Sequence, residues 1–350
     1  MRPNLRTEQE IMKNWKGTKP VVSICCLAYN HEPYIEDALE GFLIQETNFP
    51  FEVLIHDDAS TDHTADIIRE YETAYPHIIK PIYQKENQYS KKVKISQTFQ
   101  YPRAQGEYIA YCEGDDYWIH PNKLKEQTAL LKKYPHIHIC FHPAKKSENN
   151  KIIGIRNFYG YKQKYFSLRE TILGDGDFMP TESILLRKKK LHEIESFMKL
   201  NNSGVGDIFI QILGANPNGA LYIPQTYSTH RVNSINSWTR RIKENYPKRT
   251  QMYISVAQHI HKLIEILPQE CKQEIQQLEA KKYFNAAISS ILMHDFTKFK
   301  NLYSTAIKIA PNIQNRYFVI IKLMNKLPRL IYLLIKLYKL IKINPKGILK

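Results

Sequence analysis

The chain reads as an α/β protein built on a mainly parallel sheet flanked by helices, with a helical extension after it. Three observations predict this. Apolar runs of strand length recur through residues 20–142. Helical periodicities fill the gaps between them. Each run closes on polar or acidic residues, which is where a parallel sheet gathers ligand-binding groups at the carboxyl ends of its strands.

The first run is VVSICCLAY (21–29). Asn30 then offers a helix N-cap and Pro33 a first turn. Ile35, Ala38, Leu39, Phe42 and Leu43 follow at helical spacing. FEVLIH (51–56) is a second buried strand that ends on Asp57-Asp58, and a helix is expected from Thr64 to about Tyr75. Ile79–Tyr83 reads as a third strand, residues 92–104 as a helix that Pro102 limits, and GEYIAYCE (106–113) as a fourth strand. A helix from Pro121 to Lys133 and a strand at HIHICFH (136–142) complete this stretch. Arg240–Thr250 is charged and contains Pro247, so the α/β domain is taken as 1–240, a helical region as 241–310 and a basic tail as 311–350.

Composition narrows the function. Hydrophobic residues make up 43% of the 350, enough for a real core. The five cysteines include no CxxC pair and read as buried thiols in a reducing compartment, so neither a disulfide frame nor a zinc site is expected. No metal set is expected at His136, His138 and His142, since no carboxylate lies nearby and the neighbouring Cys140 sits inside an apolar run. The N-terminal twenty residues lack an apolar stretch, so no secretory leader is expected. Nine of the positive charges behind the net +16 fall in residues 311–350, which hold no Asp or Glu. That asymmetry indicates a basic tail, not a nucleic-acid binder. There is no GxGxxG after the first strand and no GxxxxGK[ST] anywhere, so a dinucleotide fold or P-loop is unsupported.

Asp115 and Asp116 follow the fourth strand in EGDDYW. Adjacent carboxylates repel and raise one another's pKa unless something positive lies between them. A Mg²⁺ or Mn²⁺ ion carrying a phosphate ligand suits hard oxygen donors of this kind. Asp116 as a cap for the next helix, with Asp115 solvated, explains the same residues without a metal.

The order VVSICCLAYN, FEVLIHDDASTDHT, GEYIAYCEGDDYW resembles the family 2 glycosyltransferases over roughly residues 20–240, and EGDDYW with HPNKLKEQ resembles a bacterial branch that builds surface polysaccharides. The resemblance implies the GT-A fold, a Rossmann-like sheet, and sugar transfer with inversion from a nucleotide-sugar, expected to be UDP-linked. It implies that Tyr29, Asn30, Asp58 and Asp115 contact the donor, and that Asp116, Asp115 and His230 hold the metal. Asp207 is the expected base, Glu182 its runner-up. Glu182 and Trp118 are expected at the acceptor, and Arg231 or Arg240 at phosphate. Plain structural roles are open for each: a loop cap for Asp58, a helix-terminal carboxylate for Asp207, a turn residue for Glu182, a core histidine for His230. A nucleotidyltransferase and a non-catalytic, membrane-associated nucleotide- or glycan-binding protein are the alternative functions.

In residues 317–343 six basic residues and Pro328 interrupt an otherwise apolar pattern. A spanning helix is disfavoured. A helix lying on an anionic membrane surface is expected instead, on the cytoplasmic face, where a lipid-linked glycan acceptor would be met.

Overall fold

The computed structural model describes residues 5–200, 205–235, 237–311 and Tyr332. They fall into two compact units. The first comprises residues up to 202 and 206–237, and the second runs essentially from Trp238 onward.

The first unit contains twelve strands among the described residues: β1 Val22–Ala28, β2 Phe51–Asp57, β3 Ile82–Tyr83, β4 Tyr108–Tyr111, β5 Tyr117–Trp118, β6 Ile139–Phe141, β7 Ala144–Glu148, β8 Lys151–Arg156, β9 Lys164–Phe166, β10 Leu185–Arg187, β11 Ala220–Tyr222 and β12 Ser228–Arg231. Eight of them form one sheet in the order β3-β2-β1-β4-β10-β6-β11-β9. β1 lies at the heart of a four-stranded parallel block, paired with β2 from Val22↔Phe51 to Ala28↔Asp57 and with β4 from Val22↔Tyr108. β10 runs antiparallel to both β4 and β6, and β9 antiparallel to β11. The second sheet has the order β5-β12-β7-β8.

Near-continuous apolar runs such as β1 and β2 are what strands covered on both faces require, and β2 is buried along its whole length. The helices Ile35–Leu43 and Thr64–Ala74 bring Ile35, Leu39, Phe42, Ile68 and Tyr71 into one core with β1 and β2. Gln100, fully buried, ties the block together. Its side-chain amide donates to the carbonyls of Cys26 on β1 (2.9 Å) and Leu54 on β2 (2.7 Å). All five cysteines are buried.

Local details differ from the sequence reading. Asn30 does not cap a helix: its φ is +54°, and the helix starts only at Ile35 with no side-chain cap. Asn30 instead accepts the Thr61 amide at 2.7 Å and donates its own amide to Ser60 Oγ at 2.9 Å, stitching the end of β1 to the loop after β2. The expected helix over 92–104 shrinks to one π turn, Ser96–Gln100. The expected strand at 79–83 is a single bridge at Ile79 and the short β3. His136 and His138 precede β6, outside the strand expected at 136–142.

The second unit is helical, with Tyr246–Lys262, Lys272–Ile291 and Phe296–Ile309 as its long helices. Phe284, Ile291, Phe299 and Tyr303 form its core. No helix among the described residues is long and apolar enough to cross a membrane. The basic tail lies outside the described residues apart from Pro311 and Tyr332.

One close approach gives a stability prediction. A Cβ on Gly41 would sit 2.7 Å from both the amide nitrogen and the carbonyl oxygen of Trp118. Gly41→Ala favours the helix by ~1 kcal/mol in propensity, but backbone cannot yield as a side chain does. Overpacking of about 1–3 kcal/mol wins, so Tm in a thermal melt is expected to fall. A rise would show that the helix is free to shift.

Candidate active site

The end of β4 and the start of β5 deliver Asp115 and Asp116 to a tight turn. Gly114 donates its amide to Leu27 of β1 at 2.8 Å, which sets the turn against the end of β1. β5 pairs antiparallel with β12 through Ser228↔Trp118 and Thr229↔Tyr117. That pairing carries His230 and Arg231 to Asp116. The buried Asp116 carboxylate accepts the Arg231 amide on Oδ1 at 2.7 Å and faces His230 Nδ1 with Oδ2 at 2.9 Å. Glu182 Oε2 lies 3.9 Å from the same Nδ1.

Glu182 sits in a 3-10 turn, Thr181–Ser183, and is 1% exposed. Its Oε1 is buried and has no hydrogen-bond partner. Ligand atoms of Asp116, Glu182 and His230 lie within 4.8 Å of one another, the one group of three such side chains among the described residues with this spacing. Two carboxylates and an imidazole with one oxygen unsatisfied fit a divalent cation such as Mg²⁺ or Mn²⁺, whose charge would offset both carboxylates. Asp115, expected to share the metal, is turned elsewhere: its Oδ2 accepts from Ser234 Oγ at 2.7 Å, and its carbonyl accepts from Arg231 Nη1 at 2.9 Å.

Asp207 begins the helix Asp207–Ala215, where the helix dipole favours a carboxylate. It reaches the cluster through one residue: Thr181, next to Glu182, donates Oγ1 to Asp207 Oδ2 at 3.2 Å. Burial raises the Asp207 pKa above the usual carboxylate range, opposed by the Thr181 bond and reinforced by the Glu182 charge. Asp115, Asp116, Glu182, Asp207 and His230, spread over more than a hundred residues of sequence, are thus linked.

Other expectations need correction. Trp118 is 2% exposed and cannot meet an acceptor. Its ring packs edge-on against Phe42 at 4.9 Å beneath Lys123 Nζ at 3.9 Å, and its Nε1 donates to the Glu182 carbonyl at 2.9 Å. It therefore positions the turn that carries Glu182. Glu182 itself faces the Asp116–His230 pair, not an acceptor pocket. Arg231 is committed: it pairs with Asp37 and lies over the rings of Tyr34 and Tyr117, so it braces the turn and does not reach for phosphate. Arg240 pairs with Glu244. Asp58 is buried, and its two oxygens accept the amides of Gln88 (2.7 Å) and Tyr89 (3.0 Å), so it orders the 87–89 loop beside the expected donor region. Tyr29 and Asn30 follow the end of β1, half-buried.

Sequence reasoning missed Glu182 as a cluster member and Arg231, Tyr34 and Asp37 as its frame. The one signal was a Glu set in an apolar stretch, MPTESILLRK, where an acidic side chain needs a partner.

Known proteins resemble the first unit in sequence and fold. Residues 23–195, which make up most of the first unit, match glycosyl transferase family 2, so the chain carries a domain similar to that family. An uncharacterized Mycobacterium bovis protein, Mb1547, is 45% identical over 126 residues, 35% of each chain. An Escherichia coli protein named UDP-Glc:alpha-D-GlcNAc-diphosphoundecaprenol beta-1,3-glucosyltransferase WfaP is 36% identical over 112 residues, 32% of this chain and 41% of that protein. The chain therefore spans well under half the length of these relatives. In fold it is similar to S. aureus TarS 1–349 bound to UDP-GlcNAc, at a TM-score of 0.60 and 18% identity over 83% of this chain and 81% of TarS 1–349. The architecture is that of a GT-A fold with helices after it.

The cluster carries a pH signature. Burial raises the Asp116 pKa from 3.8 to about 7 against the pull of His230. Burial disfavours the His230 cation, but Asp116 outweighs it and raises that pKa from 6.5 to about 9. For both groups the folded protein binds protons more tightly than the unfolded chain, so both contributions to stability fall as pH rises. In EDTA, the stability of the wild type relative to an Asp116→Asn His230→Gln variant is expected to decline from about pH 4 to about pH 9. Chemical denaturation across that range checks it, and a rising difference would contradict it.

Proposed function

We propose that the chain is a metal-dependent, inverting glycosyltransferase that moves a sugar from a nucleotide-sugar, UDP-linked, to a hydroxyl of a growing cell-surface glycan. The observation that carries this is the buried Asp116–Glu182–His230 cluster with its unsatisfied carboxylate oxygen, one residue away from a carboxylate of raised pKa, Asp207. The family match and the names of the relatives support the class of reaction. TarS, crystallised with UDP-GlcNAc on the same fold, supports the donor class.

Each residue has a role. Asp116, Glu182 and His230 would hold a Mg²⁺ or Mn²⁺ ion, with Asp115 beside them on the donor side. When bound there, such an ion would supply Lewis-acid stabilisation of the negative charge on a departing diphosphate. Arg231 and Trp118 fix the turns that bear Asp116 and Glu182. Tyr29, Asn30 and the loop ordered by Asp58 frame the nucleotide. Asp207 takes the proton of the acceptor hydroxyl as its oxygen bonds to the anomeric carbon. On the opposite face the bond to the diphosphate breaks, and the nucleoside diphosphate leaves with the electron pair. A carboxylate with a raised pKa is a stronger base and suits this task. The protein works at the cytoplasmic face of a membrane, with the basic tail at the lipid surface.

Asp207→Asn is expected to lower the rate of sugar transfer by at least ~10²-fold while leaving UDP affinity unchanged. Rates with a panel of UDP-sugars and acceptors, alongside calorimetric UDP titration, check both halves. A variant at the wild-type rate would remove Asp207 from the mechanism. Asp116→Asn is expected to abolish the gain in UDP affinity that Mn²⁺ gives over EDTA in the wild type, and an equal gain in both proteins would place the cation elsewhere.

A further inference from the structure

Residues 144–166 have a surface unlike the rest of the first unit. β7 and β8 pair as an antiparallel hairpin, and β8 is the edge strand of the second sheet. The chain then crosses to β9, the edge strand of the first sheet. The segment therefore joins the free edges of both sheets. Six of the eleven large apolar or aromatic side chains exposed among the described residues fall within it: Ile152, Ile153, Ile155, Phe158, Tyr161 and Tyr165. Tyr161 is 89% exposed, and its ring meets that of Phe158 at 4.9 Å.

Single exposed apolar residues need no explanation, but a contiguous strip does. Edge strands are usually blunted with charge, and this one interleaves charge with isoleucine. Lys145, Lys146, Lys151, Lys162 and Lys164 accompany the apolar strip, against one acidic residue, Glu148. Arg156 is engaged by Asp177 at 3.2 Å. Five lysines around exposed isoleucines and tyrosines match one partner: a surface whose outer layer is anionic and whose interior is hydrocarbon. Lysines meet headgroups, tyrosines lie at the boundary, and aliphatic side chains enter the acyl layer.

We propose that the β7–β8 hairpin and the 157–165 loop form a docking surface for an anionic lipid membrane, separate from the basic tail. The surface shares a sheet with the cluster. β7 pairs in parallel with β12, and Lys146 is in register with His230. Membrane contact here fixes the distance and tilt of that cluster relative to the lipid. The proposal does not depend on the assigned reaction.

All five native cysteines are buried, so a cysteine placed on the surface takes a thiol-reactive dye selectively. The full chain is labelled with NBD at Tyr161→Cys and, as a control, at the exposed Thr73→Cys. With phosphatidylcholine vesicles containing phosphatidylglycerol, the label at 161 is expected to shift to the blue and brighten several-fold. Lipid-borne nitroxides should quench it, and high salt should reverse the change. The label at 73 should not respond, and vesicles of phosphatidylcholine alone should have little effect. Two results would overturn the proposal. One is protein that sediments with the vesicles, or fails to, while the label at 161 stays solvent-like. The other is a change at 161 that grows with protein concentration in the absence of lipid, which assigns the strip to a second copy of the chain. An Ile153→Ser Ile155→Ser variant, altering exposed side chains only, should lower the response at 161 with Tm unchanged.

Discussion

Asp116 accepts two bonds that come from the far end of the domain, the Arg231 amide at 2.7 Å and the His230 ring at 2.9 Å. The site depends on this joint. β5 is only two residues long and would not persist alone. Its pairing with β12 turns the end of β4 into a fixed platform and imports the imidazole. Trp118, buried in that short strand, extends the platform by holding the Glu182 carbonyl. The packing of one indole thus sets the place of a carboxylate 64 residues away.

The cost of this arrangement is electrostatic. Asp116 and Glu182 are both almost fully buried, and a buried carboxylate is expensive unless paired. His230 lies between them and neutralises one charge at most. Lys123 is near but does not supply the second: burial lowers its pKa to about 7, and its ammonium is spent on Gln127 at 2.9 Å and on the Trp118 face. The cluster is left with one unsatisfied oxygen. Protons fill the deficit at low pH, and a divalent cation would fill it better because it would serve all three ligands together. Buried titratable groups with strongly shifted pKa values cluster at functional centres.

The parallel block was legible because its strands are near-continuous apolar runs and their polar ends stand out. β1, β2 and β4, and the helices after β1 and β2, lie where the periodicity places them. The second sheet was not legible. β5 and β12 are short, partly polar and paired across more than a hundred residues, and nothing local specifies such a pairing. Within the site, Asp115 and Asp116 were visible as an adjacent pair at a strand end, but their division of labour follows from Ser234 and Arg231, which only the fold brings near. Glu182 and Trp118 were both marked, yet for an acceptor. Their true relation, a side chain bonding the other's main chain, has no sequence signature. The same holds for Asn30, where a residue type suited to capping is used in a left-handed turn to join two loops.

The most direct test of the account is a crystal structure of the protein grown with UDP and Mn²⁺, with anomalous scattering collected at the manganese edge. The account predicts one strong anomalous peak within coordinating distance of Asp116, Glu182 and His230, with the UDP diphosphate beside it. A peak held by Asp115 without Glu182, or UDP bound with no manganese at the cluster, would contradict it.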